Sequence, residues 1–276
     1  MNRNSKVNAL QVGGTKLEGL TTWFQKKKSV VVAFSGGVDS TLLIAVAYEA
    51  LGSRAIAVTS DSASMARDEL ADARKLAAKI GIEHVVIHTD ELSNPEYLRN
   101  PQDRCYYCKK ELFRKLLPFA KERSIETIVD GTNADDLLGH RPGSLAEEED
   151  GIFRPLAELK MTKEEIRNIS RILGLPTSEK PSMPCLSSRF EYGIPITING
   201  LSRVEKAEKI IKEIANVKII RVRNHGEIAR IEVGKNERKN LLEDGILDRI
   251  DKELKELGFK HVALDLSGYS SGSMNK

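Results

Sequence analysis

The sequence predicts an α/β protein: a parallel sheet with helices on both faces, followed by a small α+β domain. Three observations predict it. Up to residue 130, short apolar runs alternate with helix-length segments in strict strand–helix order. The first run, Val30 to Phe34, leads straight into the glycine pair Gly36-Gly37 and then into a helical segment. From about residue 195 the order changes to αββααβ. Strand, helix, strand in succession requires right-handed crossovers and parallel neighbours.

Each element has its own signal. Residues 1–28 carry six basic side chains and one acid around Gly13-Gly14, which reads as a flexible lead-in. The α/β domain is expected over 29–194. Its strands are Val30 to Phe34, Ala55 to Thr59, Glu83 to His88 and Thr127 to Asp130, rich in Val and Ile as buried parallel strands are. Between them lie helices at Asp39 to Leu51, Met65 to Ile80 and Tyr106 to Arg123. A charged stretch at Glu147 to Asp150 and a helix at Thr162 to Leu173 follow. Pro176 to Pro184 must be a loop, because Pro181 and Pro184 each remove a backbone donor. The α+β domain is expected over 195–276. It holds helices at Ser202 to Ile214, Asn236 to Leu242 and Leu247 to Leu257, and strands at Lys218 to Arg223, Ile228 to Val233 and His261 to Leu266.

Composition narrows the function. The 276 residues are 40% hydrophobic, enough to bury a core, which excludes a disordered or fibrous chain. Lys+Arg number 43 against 40 Asp+Glu, a net charge of +3, so the uniform positive field of a charge-driven nucleic-acid binder is absent. No apolar run approaches the roughly 20 residues that cross a bilayer, and no charged-then-apolar leader opens the chain. A cytoplasmic protein with no membrane partner is expected. Three cysteines cannot all pair internally, which argues against a disulfide framework.

The string Ala33-Phe34-Ser35-Gly36-Gly37-Val38-Asp39-Ser40 is built for an anion. Glycines let backbone N–H groups approach phosphate oxygens, Ser35 and Ser40 add hydroxyls, and the helix N-terminus adds unpaired amides and partial positive charge. Asp39 in the first turn can cap the helix or help hold a magnesium ion. The plain alternative is a glycine turn with Asp39 as its cap. The string lacks the Gly-Lys-Ser/Thr of a Walker A loop and the third glycine of a dinucleotide fingerprint. It resembles the pyrophosphate loop of ATP-pyrophosphatase (PP-loop) enzymes. That resemblance implies ATP cleaved between its α and β phosphates and an adenylate formed on a substrate oxygen. Ala33, Ser35, Gly36, Gly37, Asp39 and Ser40 would then hold the nucleotide with Mg2+, Ser35 and Asp39 acting directly in catalysis. In that fold adenine lies against the end of the second strand, here Thr59-Ser60-Asp61. Gly131 to Asp136, after the fourth strand, should border the same crevice, since ligands collect at the carboxyl ends of parallel strands.

Cys105 and Cys108 are two residues apart, and Cys185 lies in Pro184-Cys185-Leu186-Ser187-Ser188-Arg189. Three thiolates from separate loops fit an iron–sulfur cluster with one iron not held by cysteine, or less well a zinc site. A redox pair and buried thiols are the duller readings. Cys185 also reads as a sulfur donor or nucleophile, with Arg189 placed to lower its thiol pKa.

Together, Ser35 to Ser40, Arg154-Pro155-Leu156, the helix after Lys163, Gly174-Leu175-Pro176-Thr177, Cys185 to Arg189, Tyr192-Gly193, Leu264 to Tyr269 and Gly272 to Asn275 resemble the LarE-type sulfur transferases over about residues 29–275. The resemblance implies adenylation of a carboxylate on a pyridine dicarboxylate mononucleotide, then attack by sulfur, in nickel-pincer nucleotide synthesis. Some members sacrifice a cysteine matching Cys185. Others carry all three cysteines and resemble a [4Fe-4S]-dependent form, with Cys105, Cys108 and Cys185 as ligands and sulfide or a donor protein as the sulfur source. The family's substrate-phosphate positions resemble Arg221 and Arg223, with Ser188 and Arg189 nearby. On the strand at 218–223 alternation puts Arg221 and Arg223 on one face, and Arg230 can join them; a solvated charged face is the plain alternative. His225, in a turn, reads as merely exposed. The resemblance also suggests a homo-oligomer. The rival is a tRNA thiolation enzyme with the same loop and cluster, disfavoured by the low net charge and the C-terminal unit.

Overall fold

A computed structural model describes residues 3–138 and 142–270, with side chains described from residue 14 onward. The elements are α1 (Arg3–Gln25), β1 (Val30–Ala33), α2 (Val38–Leu51), β2 (Ala55–Asp61), α3 (Arg67–Ile80), β3 (Glu83–His88), α4 (Pro95–Leu98), α5 (Arg104–Glu122), β4 (Thr127–Val129), α6 (Pro142–Glu149), α7 (Pro155–Glu158), α8 (Lys163–Ile172), α9 (Ile198–Ala215), β5 (Ile220–His225), β6 (Ile228–Val233), α10 (Arg238–Leu241), α11 (Ile246–Glu256) and β7 (His261–Leu264). The chain forms two compact units. One comprises residues up to Ser62, Arg67–Glu91 and Asp103–Met183; the other comprises Ala63–Ala66, Leu92–Gln102 and the chain from Pro184 on.

The first unit is built on a four-stranded parallel sheet in the order β3-β2-β1-β4. Strand side chains alternate between faces. Val30, Val32, Ala55, Ala57 and Val129 therefore pack with Leu42, Leu43, Ile44 and Ala47 of α2 and Ile166 of α8. Val31, Ala33, Ile56, Val58 and Ile128 face the other way, onto Phe113, Leu116 and Ala120 of α5. Both faces are covered, which is why the strands read as unbroken apolar runs. The fold class is the one the sequence predicts.

The N-terminal segment is more ordered than its charge suggests. Leu17, Leu20 and Phe24 of α1 are buried in the same core as β1 and α2. Their spacing is one helical stripe. Trp23 Nε1 donates to Glu158 Oε2 at 2.8 Å, and Lys16 Nζ donates to Leu159 O at 2.7 Å. Gly14, at φ 61°, breaks the helical geometry within α1, so the glycine pair marks a kink, not the end of structure.

In the second unit β5 runs antiparallel to β6 and β7 parallel to it. Val222, Ala229, Ile231 and Val233 pack under Ala207 and Ile211 of α9 and Ile250 and Leu254 of α11. Residues 92–102 belong here too: Ile196 N donates to Leu98 O at 2.9 Å, and Asn100 Nδ2 donates to Glu191 O at 2.8 Å. Gly272 to Asn275 lie outside the described residues. Among those described, no helix is long and apolar enough to cross a membrane.

Candidate functional site

The chain leaves β1, turns through Ser35-Gly36-Gly37 and enters α2. Gly36 sits at φ +74°, a left-handed conformation that a side chain would strain, and a Cβ there would meet Ala73 Cβ of α3 at 3.4 Å. Gly37 is the N-cap of α2, with no side-chain cap. The amides of the first turn thus face the loop with no preceding turn to receive them. Ser35 and Ser40 close the loop: their hydroxyls are 3.1 Å apart, and Ser35 N donates to Ser40 Oγ at 3.2 Å. Ala33, the last residue of β1, is buried beneath them.

Asp39 does not cap α2. One of its oxygens pairs with Lys163 Nζ at the start of α8, and the other accepts from Asn133 Nδ2 at 3.2 Å. Lys163 N is in turn anchored by Asp135 Oδ2 at 2.7 Å. Gly131 lies against this turn, and a Cβ on it would stand 3.4 Å from Ser40 N. The ends of β1 and β4 therefore meet at the loop. Lys163 is a cation that sequence reasoning missed. A second, Lys180 from the Pro-rich loop, donates to Gly36 O at 3.3 Å and pairs with Glu69 at 2.7 Å.

At the end of β2, Ser60 is half-buried beside Asp61, which pairs with Arg67. Thr59 ties the sheet together below them, donating from Oγ1 to Phe34 O at 2.7 Å and contacting His84 Nε2 at 2.8 Å. With the hydroxyl proton spent on Phe34, His84 is the donor to Thr59. Burial, and then the nearby Arg74 charge, push the His84 pKa below its ordinary value.

Cys105 lies on the first turn of α5 and Cys108 opens the second, not in a loop before a helix, because α5 begins at Arg104. Residues three apart on a helix share a face. The next residue, Lys109, bonds Asp130 at the end of β4 and Glu147 of α6, and Thr132 Oγ1 lies 2.9 Å from an oxygen of each carboxylate, its single proton serving one of them at a time. Burial opposes the Asp130 charge, yet Lys109 and Thr132 hold this carboxyl below the usual range. Burial and the Asp130 charge push Glu147 up. None of the three cysteines is in a disulfide; Cys105 and Cys185 are exposed and Cys108 is half-buried. Among the described residues, no group of three or more His, Cys, Asp or Glu side chains is assembled to hold a metal ion.

In the second unit Cys185 precedes a short 3-10 turn, Leu186–Arg189. Arg189 is fully buried. Its Nε and Nη2 donate to the two oxygens of Glu208, each at 2.8 Å, and its Nη1 donates to Pro184 O at 2.7 Å, Ser188 Oγ at 3.0 Å and Cys185 O at 3.1 Å. It grips the backbone of the cysteine loop, and its charge is directed to Glu208. Arg223 pairs with Glu232 at 2.7 Å and donates to Ser188 O at 2.9 Å. Arg221, 1% exposed, lies 4.9 Å over the Tyr269 ring, and burial followed by the Arg189 charge lowers its pKa. These arginines are buried, so the solvated face foreseen as an alternative is not what forms. His225 is not merely exposed: it is half-buried, accepting from Arg230 Nε at 3.2 Å and 3.5 Å from Glu191.

In an open parallel sheet, ligands collect where the strand order reverses, here between β1 and β4. The loop at that point places the protein in the PP-loop class of ATP-using enzymes, and residues 24–129 match the asparagine synthase family. The chain is 44% identical to an uncharacterized protein of Synechocystis sp., covering 95% of this chain and 97% of that one. It is 34% identical to the pyridinium-3,5-bisthiocarboxylic acid mononucleotide synthase of Lactiplantibacillus plantarum, covering 95% and 94%. A glutamine-hydrolyzing GMP synthase component of Archaeoglobus fulgidus is 26% identical over 68% of this chain and 65% of its own length. The chain belongs to the LarE family of ATP-dependent sulfur transferases.

Proposed function

We propose that the protein adenylates a carboxylate of a pyridine-3,5-dicarboxylate mononucleotide and converts it to a thiocarboxylate, in nickel-pincer nucleotide synthesis. The observation that carries this reading is the Ser35–Ser40 loop at the sheet's switch point, in a chain related along nearly its whole length to a bisthiocarboxylic acid mononucleotide synthase.

ATP enters as its magnesium complex, with pyrophosphate over the loop amides and the Ser35 and Ser40 hydroxyls, and adenine near Ser60. Both Asp39 oxygens are engaged, so Asp39 fits the role of holding Lys163 toward the polyphosphate better than that of a resident metal ligand. The substrate carboxylate oxygen attacks the α-phosphorus, and the α–β phosphoanhydride bond breaks. Pyrophosphate departs into donors already in place, which need not reorganise as charge develops. Hydrosulfide, or a bound equivalent, then attacks the acyl carbon. The C–O bond to AMP breaks, giving thiocarboxylate, AMP and a proton.

Arg221 and Arg223, with Ser188 and Arg189, are proposed to receive the substrate phosphate. Cys105, Cys108 and Cys185 are proposed as the three ligands of a [4Fe-4S] cluster. The donor chemistry fits, since all three are thiols and none is lost to a disulfide. When bound, such a cluster supplies an iron not held by cysteine, where sulfide can be carried. A homo-oligomer belongs to the same proposal.

The test is anaerobic purification, assay of iron and acid-labile sulfide, and intact mass before and after turnover with ATP, sulfide and the pyridine mononucleotide. Near-stoichiometric cluster, unchanged protein mass and a thiocarboxylate product are expected. Absence of the thiocarboxylate would overturn the reaction. Absence of iron with loss of one hydrogen sulfide from the protein would overturn the cluster and make Cys185 a sacrificial donor.

A further inference from the structure

A polar cavity lies wholly within the second unit, and none of the buried arginines Arg189, Arg221 and Arg223 lines it. It is about 460 Å³ and is lined by Thr197, Asn199, Ser202, Arg203, Lys206 and Asn224, with Gly200 and Leu257 completing its wall. That volume is within the ordinary range for small-molecule sites. The lining contains two cations and no carboxylate.

The state of those cations is the informative part. Arg203 donates to Asn224 Oδ1 at 2.6 Å, Gly226 O at 2.7 Å and Gly258 O at 3.4 Å, and its guanidinium lies 4.0 Å over the Phe259 ring. Every one of these partners is neutral. Its Nε is buried without a hydrogen-bond partner. Lys206, one turn further along α9, makes neither a hydrogen bond nor an ion pair among the described residues. By contrast Arg189, Arg223 and Arg230 in the same unit each pair with Glu208, Glu232 or Asp265. Lys206 is exposed, so its lack of a partner is ordinary; Arg203 is half-buried, where charge is normally paired, and has only neutral partners. Here the fold places two positive groups around a cavity with hydroxyl and amide donors beside them and leaves the counter-charge to be supplied from outside.

We propose that this cavity is a binding site for a phosphate-bearing small molecule, separate from the ATP loop. A tetrahedral phosphate dianion can accept from a guanidinium, an ammonium and several neutral donors at once, whereas a carboxylate has fewer acceptor positions for so many donors. Such a site would let a phosphorylated metabolite bind the enzyme without competing at the Ser35–Ser40 loop.

The test is hydrogen exchange on the intact chain, read on peptides spanning 197–210 and, as an internal control, 34–44. Inorganic phosphate and acetate are titrated at equal ionic strength into the wild type, Lys206→Glu and the charge-matched control Lys209→Glu. Phosphate should protect the 197–210 peptide in the wild type and in Lys209→Glu. In Lys206→Glu the half-saturation should weaken at least about tenfold, the cost of losing one charge-assisted hydrogen bond. Arg203→Lys, which keeps the charge but loses the planar fork, should weaken binding without unfolding the unit. No protection of 197–210, equal protection in Lys206→Glu, or equal protection by acetate would each overturn the proposal, whatever happens at 34–44.

Discussion

Asp39 shows how one residue can be recognised and its partner missed. The contiguous string Ser35 to Ser40 was legible because anion-binding loops keep their donors close in sequence. Lys163 was not, because its pairing with Asp39 spans 124 positions and its only local signal is a place just after the Thr162 cap. Asp39→Asn should lower carboxylate-dependent ATP–pyrophosphate exchange at least about 100-fold, as loss of preorganised charge does. Circular dichroism and the thermal midpoint should change little by comparison; unaltered exchange would remove Asp39 from the site. His84 makes a pH prediction. Its folded pKa lies below its ordinary value, so the unfolded chain binds the proton more readily. Its stabilising contribution is whole above about pH 6.5 and is lost as pH falls through the folded value. Urea midpoints should drop over that window in the wild type, and His84→Gln should flatten that part of the profile.

At the scale of elements, periodicity located the strands and most helices within a few residues, since both faces of the sheet are covered and the pattern is unambiguous. The departures have physical causes. In α1 a narrow stripe, Leu17, Leu20 and Phe24, is hidden among lysines and a glycine pair. Phe24→Ala should cost about 3–5 kcal/mol of stability by chemical denaturation, the usual effect of emptying a buried aromatic site; a change near zero would return this segment to a loose lead-in. Sequence pattern places the start of α5 too late because Cys105 and Cys108 look like loop residues. Similarly, Arg221 and Arg223 were legible as a pair by alternation, but the glutamates that pair with Arg189 and Arg223 come from other elements. Gly36→Ala forces a left-handed backbone on a residue with a side chain and brings its Cβ against Ala73. It should cost about 1–2 kcal/mol and weaken ATP binding as well; full ATP affinity would mean that the loop tolerates displacement.

For the whole molecule, the first unit supplies the nucleotide loop and the cysteine-bearing helix α5, and the second supplies Cys185 and the buried arginines. Cys108→Ala should lose cluster iron while nucleotide binding to the loop persists; full iron retention would contradict the three-ligand proposal. The family could be read from the sequence because its motifs are spread along the chain, whereas the neutral surroundings of Arg203 required the fold. The central claim is that a substrate carboxylate is activated on the α-phosphorus at the Ser35–Ser40 loop. It is tested most directly with a pyridine dicarboxylate mononucleotide labelled with ¹⁸O in its carboxylates. After one turnover with ATP and sulfide, mass spectrometry should find one ¹⁸O in the AMP phosphate and none in pyrophosphate. Unlabelled AMP accompanying the thiocarboxylate product would contradict the acyl-adenylate and the account built on it.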